Sequence, residues 1–212
     1  MIDVLPGIQE KSWEVLVEKI RLVAAHVQWI HIDVLDGTFL PIETVTDFSQ
    51  LQDVANEFPH LSFEAHLLVS SPEKYVSQLV DFGFSRVSTH VECNDPRRFL
   101  EAAKFEDIEV GMALDGPTEL EELEPYLEEV DFAVIMTAEA GAVGQPFLPE
   151  TIEKIKKIRQ NYIDLPIEVV GGITAESAQL VTDAGATRIV TNHFLFKDPH
   201  EIGNVLQQLK SL

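Results

Sequence analysis

Short apolar, β-branched runs return about every 26 residues along this chain, and a stretch with helical periodicity follows them. The runs are Ile2–Leu5, Trp29–Val34, Leu61–Val69, Arg86–Glu92, Glu109–Leu114, Phe132–Thr137, Ile167–Val170 and Arg188–Thr191. After the first run, Val15, Leu16, Ile20, Val23 and Val27 fall at helical spacings and predict a helix over Trp13–Val27. Ser71-Pro72-Glu73-Lys74, Pro149-Glu150 and Thr174-Ala175-Glu176 are helix starts; Gly83 and Gly185 are helix stops that lead into the next strand. Strands that alternate with helices argue for parallel β-structure. Eight such units in 212 residues favour a small closed (β/α)8 barrel, a TIM barrel, over an open doubly wound sheet. No Gly/Ser-rich linker divides the chain, so residues 1–212 read as one α/β barrel domain. In such a barrel the chemistry sits where the strands end and the βα loops begin.

The second strand ends His31-Ile32-Asp33-Val34-Leu35-Asp36-Gly37. Alternation puts His31 and Asp33 on one face and Ile32 and Val34 on the other, against the helices. The third strand carries Glu64-Ala65-His66 and the fourth Thr89-His90-Val91-Glu92. A histidine and a carboxylate that point into a barrel are costly unless paired or metal-bound. His31, Asp33 and His66, on neighbouring strands, form a first shell for a divalent ion such as Zn²⁺, Fe²⁺, Mn²⁺ or Co²⁺. The competing reading is a hydrogen-bonded polar layer. Gly171-Gly172, between the seventh strand and its helix, offers backbone N–H groups to an anion, or is simply a tight turn. A Schiff-base lyase needs a desolvated lysine on a strand. The lysines lie on helices or their edges, Arg86 and Arg188 open strands at the far end, and only Lys197 approaches the mouth.

Charge and composition narrow the partners. With 15 Lys and Arg against 36 Asp and Glu, the net charge of −21 repels nucleic acid and anionic membranes. No apolar run is long enough to span a bilayer, and the start of the chain has no signal-peptide pattern. The lone Cys93 excludes an internal disulfide and suits a reducing compartment, so a cytoplasmic protein is expected. The acidic run Glu119–Glu129 is expected on the solvated face of the fifth helix.

These residues resemble the ribulose-phosphate 3-epimerase family in order along most of the chain. The resembling segments are His31–Pro41, Glu64–Val69 with Ser71-Pro72-Glu73, Thr89–Glu92, Ile135-Met136-Thr137 with Gly144-Gln145-Pro146-Phe147, Glu168–Ile173, and Ala184-Gly185-Ala186. The resemblance implies a barrel of the ribulose-phosphate-binding type and a metal-assisted proton transfer at C3 of a ketopentose 5-phosphate. It makes His31, Asp33 and His66 metal ligands and Asp33 an acid/base. It places Gly141, Gly144, Gly171, Gly172, Asn192 and His193 around a sugar phosphate, with Met136 and Val170 lining the site. Homo-oligomers occur in the family.

The departures cluster at the mouth. Where the family has its second catalytic Asp, also a ligand, this chain has Val170, which neither binds metal nor moves a proton. Pro6 stands for a serine, Leu35 and Leu68 for methionines, Glu139 and Asp115 for asparagines, Val143 for a glycine, and Asn192-His193 for Gly-Ser. Three readings follow: an epimerase in which Glu139 (or His193) replaces the lost carboxylate, a single-base isomerase or lyase on a related sugar that uses Asp33 alone, and an inactive metabolite-binding barrel. The first is favoured, because the Asp33 half of the site is intact.

Overall fold

Eight strands, each alternating an outward residue with an inward one, close on themselves in the computed structural model, which describes residues 2–141 and 143–212. Met1 and Ala142, the latter within the sixth-loop run Gly141–Gln145, lie outside the described residues. Strands β1 (Asp3–Ile8), β2 (Trp29–Val34), β3 (Ser62–Leu67), β4 (Arg86–His90), β5 (Glu109–Leu114), β6 (Phe132–Met136), β7 (Ile167–Val170) and β8 (Arg188–Thr191) pair in chain order, all parallel. Leu5 opposite Val190 is part of the register that closes the ring. Outside lie α1 (Trp13–Val23), α2 (Leu51–Glu57), α3 (Val76–Phe82), α4 (Pro96–Ala103), α5 (Thr151–Asn161), α6 (Ala175–Ala184) and α7 (Ile202–Lys210). Outward strand residues such as Ile32, Val34, Leu67, Val87, Ile135, Val169 and Ile189 bury against Leu16, Ile20, Leu79, Phe99, Ile155, Val181 and Leu206 of those helices. Among the described residues no helix is long and apolar enough to cross a membrane.

The strands β3, β4 and β6 end one or two residues before the runs expected from the sequence, and three further differences have a physical cause. First, β1 runs past Leu5 through Pro6 and Gly7 to Ile8; a Cβ on Gly7 would sit 2.7 Å from Val190 Cγ1, so glycine permits the close pairing there. Second, α1 stops at Val23, while Val27 is buried from the turn that leads into β2. Third, the fifth crossover is not an α-helix but two 3₁₀ turns, Leu120–Glu122 and Glu124–Tyr126. Pro125 lacks the N–H a continuous helix needs, and the crowded glutamates of Glu119–Glu129 repel one another. Leu120, Leu123 and Leu127 still bury, so the crossover seals the barrel without a helix.

The ends behave as their residues dictate. Ser12 caps α1, Asp95 caps α4 ahead of Pro96, and Thr174 and Ser177 form a reciprocal capping box on α6. Gly83 and Gly185 close α3 and α6 at φ +95° and +114°. Cys93, just beyond β4, is buried, and burial pushes its thiol up to about 11.

Inside the barrel the two walls differ. Leu5, Ala113, Phe132, Val134, Met136, Val170 and Val190, from β1 and β5–β8, form an apolar cluster. Facing it, β2–β4 bury His31, Glu64, His66, Ser88 and His90, joined by Glu168 of β7. The floor is closed by Arg86, whose guanidinium lies 3.5 Å over the Trp29 ring and whose Nε donates to Glu109 Oε2 at 2.7 Å, and by Arg188 over Phe132. Phe132 fits only because β5 offers Gly111, where a Cβ would come within 2.5 Å of the ring. Gly111→Ala is expected to destabilise the protein by about 1–3 kcal/mol through overpacking, read as a lower urea midpoint at unchanged slope.

Candidate active site

At the carboxyl end of β2, alternation brings His31 and Asp33 inward together, and the parallel register sets Asp33 opposite His66 of β3. Asp33 Oδ1 lies 3.2 Å from His31 Nε2 and 3.1 Å from His66 Nδ1. Oδ2 takes no hydrogen bond among the described residues, and Asp33 is half-buried at the bottom of the mouth. Each imidazole is engaged on its other side as well. His31 Nδ1 meets Glu64 Oε1 at 2.7 Å, with Glu168 Oε1 at 3.3 Å. His66 Nε2 meets His90 Nε2 at 3.0 Å, and His90 Nδ1 meets Glu92 Oε2 at 3.1 Å.

Burial and pairing set the charges. Burial pulls His31 down, but Asp33, Glu168 and Glu64 outweigh it and hold its pKa well above the usual imidazole value. Burial raises Asp33, yet the hydrogen bonds and charges of His31 and His66 drive it far below the ordinary carboxylate range. His66 falls to about 4, mainly through desolvation, and is neutral at pH 7. Glu168 rises to about 7 through burial and the neighbouring Glu64 charge. Burial raises Glu64, but the hydrogen bond and charge of His31, with Glu168 and the Arg86 charge, together hold it below the ordinary carboxylate value. The two buried glutamates thus titrate as a pair, with Glu168 the member that takes up a proton more readily.

Two imidazole nitrogens and one carboxylate oxygen, all within 4.8 Å of one another, match the donors and spacing that divalent ions such as Zn²⁺ take. His31, Asp33 and His66 are the residues that would hold such an ion. The environment fits it too: when the His66 proton sits on Nε2, toward His90, the Nδ1 lone pair and Asp33 Oδ1 are two acceptors face to face at 3.1 Å. A cation satisfies both.

Above Asp33 opens a pocket of about 520 Å³. Met136, Glu139, Gly141, Gly144, Val170, Gly171, Gly172, Asn192 and His193 all line it, as does Lys197; His31 and His66 lie beneath, fully buried. Val170 faces the opening from the apolar wall beside Met136 and Val190. Gly171 and Gly172 adopt φ +104° and +63°, and Cβ atoms there would meet Ala138 Cβ at 2.8 Å and Phe147 Cα at 2.7 Å. Backbone packing of the sixth loop on the seventh thus requires both glycines. Thr137 Oγ1 donates to the Gly171 carbonyl at 2.5 Å and pins the turn. Asp115, expected to add charge to the mouth, does not line the pocket: its Oδ1 accepts from Gly116 N and Ala140 N at 2.8 and 2.9 Å. The sixth loop is held from that side, and Glu139 extends from it as an exposed carboxylate on the pocket wall.

Glu64, His90, Glu92 and Glu168 join this network but were not among the candidates read from the sequence. The signal was present. Glu64 precedes His66 by two residues, as Glu168 precedes Val170 and His90 precedes Glu92, and the alternation that paired His31 with Asp33 applies equally on β3 and β7.

The sequence model of the Ribulose-phosphate 3 epimerase family matches residues 4–196. A ribulose-phosphate 3-epimerase of Schizosaccharomyces pombe is 32% identical over 187 residues, 86% of this chain and 82% of that protein. One from Synechocystis sp. is 33% identical over 207 residues, 94% of this chain and 89% of that protein. Among solved structures, a 3-hexulose-6-phosphate synthase superimposes with a TM-score of 0.76 at 18% identity, covering 99% of both chains, a likeness of fold.

Because Asp115 Oδ1 bonds two loop amides, Asp115→Ala is expected to leave Gly116 N–H and Ala140 N–H unpaired. The cost is about 1–3 kcal/mol, visible as faster hydrogen exchange at Ala140 while β-strand amides keep their protection.

Proposed function

Since the chain belongs to the ribulose-phosphate 3-epimerase family, we propose that it moves a proton at the carbon next to the carbonyl of a ketose phosphate, with Asp33 as acid/base and a divalent metal held by His31, Asp33 and His66. One observation carries this reading: a single ionised carboxylate is fixed through Oδ1 by two buried imidazoles, while its residue lines a large opening at the strand ends. When bound, the metal supplies Lewis-acid stabilisation of the negative charge that develops on the substrate oxygen.

The rest is the work of the chain's own groups. Asp33 takes the proton from one face of the substrate. Met136, Val170 and Val190 form an apolar wall that keeps water from the reacting carbon. Glu139 delivers a proton to the other face; its backbone is braced by Ala138 against Gly171 and by Asp115 at Ala140. Gly141, Gly144, Gly171, Gly172, Asn192 and His193, with Lys197, receive the phosphate at the rim, where turn amides and the start of α6 favour an anion. The protein acts in the cytoplasm.

A second reading is favoured by one specific observation: Val170, not a carboxylate, sits on the wall beside Met136, and no second carboxylate joins the His31–Asp33–His66 group among the described residues. Asp33 alone then removes and returns the proton on one face, giving isomerase or lyase chemistry. Incubation with a ketopentose phosphate in deuterated buffer separates the two readings. An epimerase yields inverted, deuterated product; Asp33→Asn lowers exchange by about 10²–10⁴-fold and Glu139→Gln abolishes inversion. Deuterium incorporated with retention, insensitive to Glu139→Gln, establishes the single-base reading. No exchange across a panel of ketose phosphates leaves a binding barrel.

A further inference from the structure

Each imidazole of the central cluster turns one nitrogen to Asp33 and the other to a buried partner. For His66 that partner is another histidine. His66 Nε2 and His90 Nε2 stand 3.0 Å apart, at hydrogen-bond distance, with the ring planes inclined by 19°. Such a contact holds one proton, which resides on one ring or the other. A carboxylate faces each end, Asp33 Oδ1 at His66 Nδ1 and Glu92 Oε2 at His90 Nδ1; with a cation beside Asp33 to take the Nδ1 lone pair of His66, the far end sets the direction. Glu92 Oε1 accepts from the Asp115 backbone N–H at 2.9 Å, and Glu92 Oε2 faces His90 Nδ1 at 3.1 Å. An ionised carboxylate only accepts. His90 therefore donates from Nδ1 and keeps a lone pair on Nε2. His66 donates into that lone pair from Nε2, which leaves its Nδ1 bare and aimed at Asp33. Both rings are buried, His66 at 0% and His90 at 1% exposure, so water does not compete for these bonds. Neither His90 nor Glu92 lines the pocket.

We propose that His90 and Glu92 are positioning residues: a two-step relay that fixes the His66 tautomer so that Nδ1 offers its lone pair to a divalent cation beside Asp33. The relay rests on the metal reading above. It goes beyond that reading by assigning a role to two residues that touch neither metal nor substrate. His31 needs only one step, because Glu64 Oε1 faces its Nδ1 directly at 2.7 Å and leaves Nε2 for the cation.

Glu92→Gln reverses the relay with almost no change of shape. The Asp115 N–H holds the amide oxygen, so the amide NH₂ faces His90 Nδ1, which must now accept. His90 then donates from Nε2, and the proton of His66 is driven onto Nδ1, where the cation binds. Glu92→Ala merely removes the bias. The experiment measures Zn²⁺ dissociation constants of the full chain by chelator competition, with melting of the metal-free proteins as the check on folding. It also records ¹⁵N–¹H spectra of the histidine rings in the Zn²⁺-loaded wild type. Expected are a loss of about 10–100-fold in Zn²⁺ affinity for Glu92→Gln, a smaller loss for Glu92→Ala, and protons on His66 Nε2 and His90 Nδ1. Wild-type affinity in Glu92→Gln, a larger loss in Glu92→Ala, or a His90 proton on Nε2 overturns the relay. If Glu92→Gln fails to fold, the wild-type ring spectrum decides alone. A wild type that binds no Zn²⁺ overturns the metal reading and the relay with it; tight wild-type binding with an indifferent Glu92→Gln overturns the relay only.

Discussion

One carboxylate oxygen shared by two imidazoles organises this molecule. Asp33 Oδ1 lies within 3.2 Å of both His31 and His66, at the level where the barrel interior meets its mouth. Three polar side chains at that depth carry a heavy desolvation cost unless each is answered. The answers extend outward in two directions, through Glu64 and Glu168 on one side and through His90 and Glu92 on the other. The polar wall of the barrel is in effect one hydrogen-bonded object spanning three adjacent strands, with Glu168 leaning in from β7.

The opposite wall is built on the other principle. Phe132, Val134, Met136, Val170 and Val190 touch one another through packing alone, and Gly111 makes room for the largest of them. A substrate in the opening lies between a wall that holds charge and a wall that holds off water. That division explains why Asp33 stays ionised and accessible while its partners are sealed below.

Much of this was legible in the sequence. Period-two alternation in His31-Ile32-Asp33-Val34 and the recurrence of strand–helix units fix both the barrel and the inward direction of the central residues. What escaped did so for physical reasons. The fifth crossover carried the composition of a solvated helix, but Pro125 and like-charge crowding broke it into 3₁₀ turns. Asp115 read as a charge at the mouth, since sequence does not show that two backbone amides turn toward its oxygen. Alternation on β7 pointed Glu168 inward, but nothing local showed that His31, on β2, would stand 3.3 Å from it across the barrel. The glycines at 171 and 172 were noticed for an anion, yet the contacts that require them are with the neighbouring loop.

The unequal walls also imply unequal freedom to drift. On β2–β4 His31, Asp33, His66 and His90 are each answered by another side chain, so replacing one strands its neighbour. On β5, β6 and β8 a methyl gained or lost disturbs only its immediate contacts. Val170 sits among the apolar residues, so a branched side chain there meets only packing contacts and no buried polar partner.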